Sequence, residues 1–264
     1  MKNLIFYFSG TGNSLKLAED ISKELEESVI ISMGVNKTYK FSEKFGEYET
    51  IGFAYPSYFQ GLPVKVADFI LGLKFPEDKN IYYYGISTYG GFVGNAVKQL
   101  DRVLAEKGAE LHYGDKIRMF SNYVVLYNMS KKIREITEKS NKNTIPIIEN
   151  IKKKYRSKPG RENFLLKAYY NKRAISIHNS DKNFNVSDDC VSCEICKKVC
   201  PVGNIEMNIG KPAFFHRCEQ CMACIQYCPV KAINYKNITQ KRRRYTNPYV
   251  DSDKLIRTNK KADV

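Results

Sequence analysis

Asn3-Leu4-Ile5-Phe6-Tyr7-Phe8-Ser9-Gly10-Thr11-Gly12-Asn13-Ser14 is the stretch that decides the fold. Its first half, residues 3–8, is a short apolar and aromatic run that predicts a buried strand. Its second half is a loop of glycines and hydroxyls, followed by Leu15, Ala18, Ile21 and Leu25 at helical spacing. A loop of this composition between a strand and a helix is an anion site. Glycine lets the backbone approach a phosphate, Ser and Thr donate hydrogen bonds, and the helix N-terminus favours negative charge. A Walker loop would carry a Gly-Lys-Ser/Thr ending, and no lysine is present. A dinucleotide fingerprint would need a third glycine where Leu15 stands.

The same alternation continues along the chain. Residues 29–31, 50–55, 81–86 and 111–119 predict four more strands, and 64–71 and 96–105 carry apolar helical faces. Strands alternating with helices imply a parallel sheet with right-handed crossovers. About five such units in roughly 120 residues predict an α/β, doubly wound, five-stranded parallel sheet of flavodoxin-like size. Residues 145–158 (IPIIENIKKKYRSK) read as a last covering helix, and 163–175 as a further helix in a connector.

The chain has 264 residues, 43% of them hydrophobic, with a formal charge of +15. That content supports a sizeable core and argues against disorder throughout. Residues 1–118 hold 14 Lys+Arg against 15 Asp+Glu, whereas residues 119–264 hold 29 against 13. A basic half points to an acidic partner, or offsets the charge of bound anionic cofactors. No apolar stretch reaches the roughly 18–20 residues of a bilayer span, so no membrane span is expected. The apolar run after Met1-Lys2 is too short for a secretory segment, and a cytoplasmic protein is expected.

All eight cysteines fall between 190 and 228, inside a repeat with an offset of 28 residues. The two units are Cys190-x2-Cys193-x2-Cys196-x3-Cys200-Pro201 and Cys218-x2-Cys221-x2-Cys224-x3-Cys228-Pro229. This run is the two-cluster iron–sulfur signature. Three closely spaced thiolates wrap three corners of one cube, and the fourth reaches the other cube. The expected ligand sets are therefore crossed: Cys190, Cys193, Cys196 and Cys228 for one 4Fe-4S cluster, and Cys218, Cys221, Cys224 and Cys200 for the other. Zinc sites favour two CxxC pairs rather than three successive cysteines repeated twice. Clusters of this kind are often oxygen-sensitive, which points to an anaerobic host.

Two further loops carry glycines beside aromatics: YPSYFQGLP over residues 55–63 and STYGGFVGN over residues 87–95. Each follows an expected strand, on the sheet edge where ligands of such folds bind. An isoalloxazine ring needs flat apolar contact and backbone N–H groups, which such loops offer. Packing aromatics and a helix-capping turn are the plain alternatives. Together with the FSGTGNS loop and the doubled cysteine run, these loops resemble the flavodoxin–ferredoxin fusion proteins of anaerobic bacteria and archaea, over residues 1–118 and 186–235. The resemblance implies non-covalent FMN and two 4Fe-4S clusters in a small α+β ferredoxin domain. It implies that Ser9, Gly10, Thr11, Gly12, Asn13 and Ser14 hold the phosphate. It places Pro56, Ser57, Tyr58, Phe59 and Gly61, with Thr88, Tyr89, Gly90 and Gly91, along the flavin ring. Flavodoxins are acidic, and here the chain departs from them.

The expected organisation is a flavin-binding domain over 1–160, a connector over 161–182, a ferredoxin domain over 183–240 and a solvated basic tail over 241–264. His112, His178 and His216 are scattered and support no catalytic pair. The expected function is electron transfer between FMN and the clusters, joining two-electron and one-electron redox partners, with an acidic redox protein as partner. The alternative is a flavin-dependent reductase of a small acceptor such as a quinone, metal complex, or nitro or azo compound. A nucleic-acid-binding iron–sulfur protein has only the basic second half in its favour.

Overall fold

Alternation along β1 (Lys2–Tyr7) sets the two layers of the core. Leu4 and Phe6 point to one face, Ile5 and Tyr7 to the other, and all four are fully buried. The computed structural model describes residues 2–35, 47–76 and 80–260. Within these, β1 is followed by α1 (Asn13–Glu24), β2 (Ser28–Ser32), β3 (Tyr48–Pro56), α2 (Val64–Gly72), β4 (Tyr82–Tyr89), α3 (Ala96–Glu106), β5 (Leu111–Arg118) and α4 (Ile133–Lys152). The five strands form one parallel sheet in the order β2-β1-β3-β4-β5. That order is the flavodoxin-like doubly wound arrangement, and it puts the switch point between β1 and β3.

One face of the sheet packs Phe6, Phe8, Phe53 and Tyr55 against Val66, Phe69 and Ile70 of α2 and Leu100 and Leu104 of α3. The other packs Ile5, Tyr7, Tyr82, Tyr84 and Ile86 against Leu15, Ala18 and Ile21 of α1 and Ile147, Ile148 and Ile151 of α4. Each such side chain contributes about 1.5–3 kcal/mol on burial, so the two faces carry most of the stability of the sheet. The helix read at the end of the sheet is thus α4, which begins twelve residues before the apolar stretch that announced it.

After α4 come α5 (Phe164–Ser176), a 3-10 turn over Ile177–Asn183, β6 (Phe184–Val186), α6 (Ile195–Val199), β7 (Ile205–Asn208), β8 (Lys211–Phe214), α7 (Ala223–Gln226), β9 (Ile233–Tyr235) and α8 (Ser252–Lys260). Strands β6 and β9 pair antiparallel, as do β7 and β8. The 28-residue repeat is written into the backbone. Left-handed residues recur at Ser192 and Gln220, at Glu194 and Met222, and at Gly203 and Lys231. These turns let the chain curl tightly around each run of cysteines.

The segment after Lys241 differs from the solvated tail that its charge suggests. Tyr245, Val250 and Leu255 are buried, and Val250 and Leu255 join the core under β1 and α1. Tyr7 Oη donates to Asn259 Oδ1 (2.8 Å). Arg242, Arg243 and Arg244 each donate to a backbone carbonyl, of Val124, Met129 and Ile233 respectively. The run KRRRY is therefore a strap whose three arginines each donate to a peptide oxygen. Residues 261–264 lie outside the described residues. Among the described residues, no helix is long and apolar enough to cross a membrane.

Candidate functional site

The loops after β1, β3 and β4 meet at the carboxyl edge of the sheet and enclose a pocket of ≈ 1050 Å³, open solvent at its mouth included. Ser9, Gly10, Thr11, Asn13 and Ser14 line it from the first loop, Pro56, Ser57, Tyr58 and Phe59 from the second, and Thr88, Tyr89, Gly90 and Gly91 from the third. At its floor the first helix begins. The first N–H groups of a helix have no partner within it, and Gly12 at the N-cap has no side chain to supply one. Ser9 Oγ accepts from Gly12 N (3.1 Å), and the Ser14 and Thr88 hydroxyls share a hydrogen bond (2.9 Å) that ties the first loop to the third. These hydroxyls and helix-end donors suit a phosphate without a cation.

Two residues expected in this site stand outside the pocket lining. Gly12 is left-handed (φ 95°), and a Cβ there would meet Val250 at 2.7 Å and Asn247 at 3.0 Å. Gly61 is overlain by the Tyr170 ring, 2.2 Å from where a Cβ would sit, and it closes a tight turn with Tyr58. Gly10 lines the pocket, but its missing side chain serves another contact as well. A Cβ would fall 2.7 Å from the Cys221 carbonyl and 2.8 Å from Cys221 Cβ. Glycine is needed in this loop because the cysteine module and the strap press on it.

The turn Tyr58–Gly61 is strained, with Phe59 and Gln60 both left-handed (φ 49° and 64°). It holds Phe59 at the pocket wall, where the Arg173 guanidinium lies 4.5 Å over its ring and Tyr123 meets it edge-on. Tyr58 is enclosed between this pocket and Cys221, and burial, with the Cys221 charge next, pushes its phenol well above the ordinary tyrosine range.

Sequence reasoning missed the fourth wall. Phe120, Ser121, Asn122, Tyr123, Leu126 and Tyr127 line the pocket, with Gln60, Phe92, Tyr169 and Gln220. The stretch SNYVVLYN follows β5 and so leaves the sheet on the same edge as the other three loops; its position was the available signal. Asn122 Nδ2 donates to Thr11 Oγ1, and Asn13 Nδ2 to Phe120 O (3.2 Å). The strap completes this corner: Tyr245 Oη (2.7 Å) and Asn247 Nδ2 (3.1 Å) both donate to Asn13 Oδ1. Tyr245 also stacks on Phe120 with ring centroids 4.1 Å apart.

The cysteines ring two smaller cavities. One of ≈ 320 Å³, open solvent included, is lined by Cys190, Cys193, Cys196 and Cys228. The other, ≈ 310 Å³, is lined by Cys200, Cys218, Cys221 and Cys224. The fourth thiol of each run thus faces the cavity of the other run. Backbone N–H groups point at sulfur at repeat-related places: Asn204 N to Cys200 Sγ (3.3 Å) and Ala232 N to Cys228 Sγ (3.2 Å), with Gln220 N on Cys218 Sγ (3.2 Å). Such donors favour a thiolate, while burial opposes it. Burial pushes Cys196 up to about 11 and Cys218 to about 12. Among the described residues no group of three or more His, Cys, Asp or Glu side chains is placed to hold a single metal ion. Cys221 lines both the second cavity and the large pocket.

No family model matches the chain, and no curated protein matches it. Solved structures do. The chain is similar to rubredoxin oxygen:oxidoreductase from Desulfovibrio gigas, at 17% identity and a TM-score of 0.38, over 58% of this chain and 36% of that one. It is similar to a flavodoxin from Streptococcus pneumoniae, at 19% identity and a TM-score of 0.38, over 56% of this chain and 99% of the other. A flavodoxin from Pseudomonas aeruginosa matches at 13% identity and a TM-score of 0.43, over 58% and 98%. The chain spans little more than a third of the first of these.

Proposed function

We propose that the chain is an electron-transfer protein that carries FMN in the large pocket and a 4Fe-4S cluster in each thiol-lined cavity. Cys221 carries this reading, because one ligand of the second cluster would also form part of the flavin wall. FMN supplies a carrier that accepts two electrons together and gives them up singly, and each cluster a one-electron carrier. Ser9, Thr11, Asn13 and Ser14 would bind the phosphate, Ser57 and Tyr58 with Thr88, Tyr89, Gly90 and Gly91 the ring, and Phe59, Tyr123 and Tyr127 would exclude water. The cluster held by Cys200, Cys218, Cys221 and Cys224 would exchange electrons with the flavin. The cluster held by Cys190, Cys193, Cys196 and Cys228 would face outside partners, for Cys193 is exposed.

In this reading residues 1–160 are the flavin unit, 183–240 the cluster unit and 161–182 their link. The partner is a redox protein, and the basic second half suits an acidic one. Thiols spread around a cavity, with N–H donors on their sulfurs, suit a cluster better than a zinc ion.

A reductase of a small acceptor is the second reading. The groove across the Gly90–Gly91 wall favours it, because Arg118, Lys139, Asn128 and Ser130 there could seat an anionic substrate beside the flavin. Protein purified without air should carry about eight irons with matching sulfide and one FMN. Zinc in place of iron, or refusal of added flavin, would end both readings. Stopped-flow mixing then separates them: the carrier exchanges rapidly with ferredoxin-like proteins, and the reductase is reoxidised rapidly by a small molecule.

A further inference from the structure

Arg244 belongs to a run whose charge predicts a solvated tail, and the fold places it otherwise. Its Nη2 donates to Ile233 O (3.3 Å) and to Asn234 Oδ1 (2.7 Å). Its Nε and Nη1 are enclosed, with no hydrogen-bond partner among the described residues. A guanidinium cannot shed its proton to escape such a site, so its charge must be balanced by something nearby. No carboxylate serves: both Nη2 acceptors are neutral oxygens. The groups that act on its charge are Cys228 and Cys224, which would be thiolates as cluster ligands and would then favour its cationic form against the burial that opposes it. These two thiols belong to different cavities, Cys228 to the first and Cys224 to the second. Ile233, whose carbonyl holds the guanidinium, lines the first.

We infer that Arg244 is the shared counter-charge of both clusters, enclosed beside the Ile233 wall of the first cavity, and that it raises the reduction potential of each. The inference rests on the reading that the cysteines hold two 4Fe-4S clusters. Each reduction adds one electron and its negative charge to a cluster. A fixed cation a short distance away, shielded from water, stabilises the reduced form more than the oxidised one. One residue that acts on a ligand of each cluster keeps their potentials moving together. The strap geometry fixes its position, since Arg242 and Arg243 anchor the same run to the carbonyls of Val124 and Met129.

The test is a potentiometric titration of holoprotein, followed by electron paramagnetic resonance for the clusters and by absorbance for the flavin. Iron and sulfide counts on the wild-type protein come first. Absence of clusters there overturns the underlying reading, and clusters with unmoved potentials in the variants overturn only the present inference. Arg244→Gln removes the charge and should shift both cluster midpoints to more negative values while the flavin midpoints stay. Arg244→Lys keeps the charge and should restore most of the shift. Asn234→Asp leaves Arg244 in place but pairs its Nη2 with a carboxylate, and should also lower both. Wild-type midpoints in Arg244→Gln refute the inference. If Arg244→Gln does not load, wild-type midpoints in Asn234→Asp refute it, and failure of both to load clusters makes Arg244 an assembly residue instead.

Discussion

Gly10→Ala tests the contact on which the proposed flavin-to-cluster route depends. The added Cβ would stand 2.7 Å from the Cys221 carbonyl oxygen and 2.8 Å from its Cβ. Neither atom belongs to a flexible side-chain end: Cys221 is held between the left-handed residues Gln220 and Met222, and α7 follows at once. To reach ordinary contact at 3.4 Å, the phosphate loop and the cysteine module must part by about 0.7 Å. Overpacking of this kind costs about 1–3 kcal/mol. For a chain of this length that is a fall in melting temperature of roughly 2–12 °C. The displacement also moves Cys221 from its cavity and the loop from its pocket, so FMN and the adjacent cluster should both be held less tightly. The assay is thermal melting of holoprotein with iron and flavin counted on the same samples. Gly72→Ala at the end of α2 is the control, because its Cβ would meet nothing within 4 Å and it lines neither the pocket nor the thiol cavities. A Gly10→Ala protein that melts with the wild type and keeps its full iron would show that the two modules do not press on each other there.

Cys221→Ser should reduce iron from about eight to about four per chain while the first cluster stays, and should slow cluster reduction by photoreduced flavin; iron assay and stopped-flow absorbance check this. In metal-free protein, burial raises the Cys196 and Cys218 thiols to about 11 and about 12, so at pH 8 both should alkylate far more slowly than exposed Cys193, as peptide mass spectrometry would reveal. Tyr245→Phe removes the donor to Asn13 Oδ1 and should cost about 0.5–1.5 kcal/mol, read by urea unfolding, with a matching loss of flavin affinity by fluorescence quenching. His112 accepts from Tyr83 N, and burial, with Arg156 next, holds its pKa below 6.5. The unfolded chain then binds more protons, so this contribution is complete above pH 6.5 and is lost as pH falls through and below that value. Urea unfolding at pH 7.5 and 6.0 should show a smaller difference for His112→Gln than for the wild type.

The sheet was legible because its signals are local. NLIFYF, TIGFAY and IYYYGI are too apolar for anything but buried strands, and each ends at a Gly-rich loop on the edge where ligands bind. The 28-residue repeat was legible from spacing alone, and it recurs in the left-handed turns of the backbone. What escaped was set by contacts distant in sequence. The SNYVVLYN wall has no period of its own and is ordered by Thr11, Gln220 and Arg242. Gly12 and Gly61 read as ligand contacts because nothing in their neighbourhood announces Val250 or Tyr170. The KRRRY strap misled most, since composition marks a charge run as solvated, and only the fold shows that each arginine ends on a backbone carbonyl.

That strap bears on biogenesis. Asn247, which closes over Thr11 and Asn13, is made more than 230 residues after them. During translation the pocket at the sheet edge is therefore unfinished until the cysteine repeats have already emerged. If the proposed cofactors are bound, their loading in the cell should reverse the order of synthesis, iron first and flavin last.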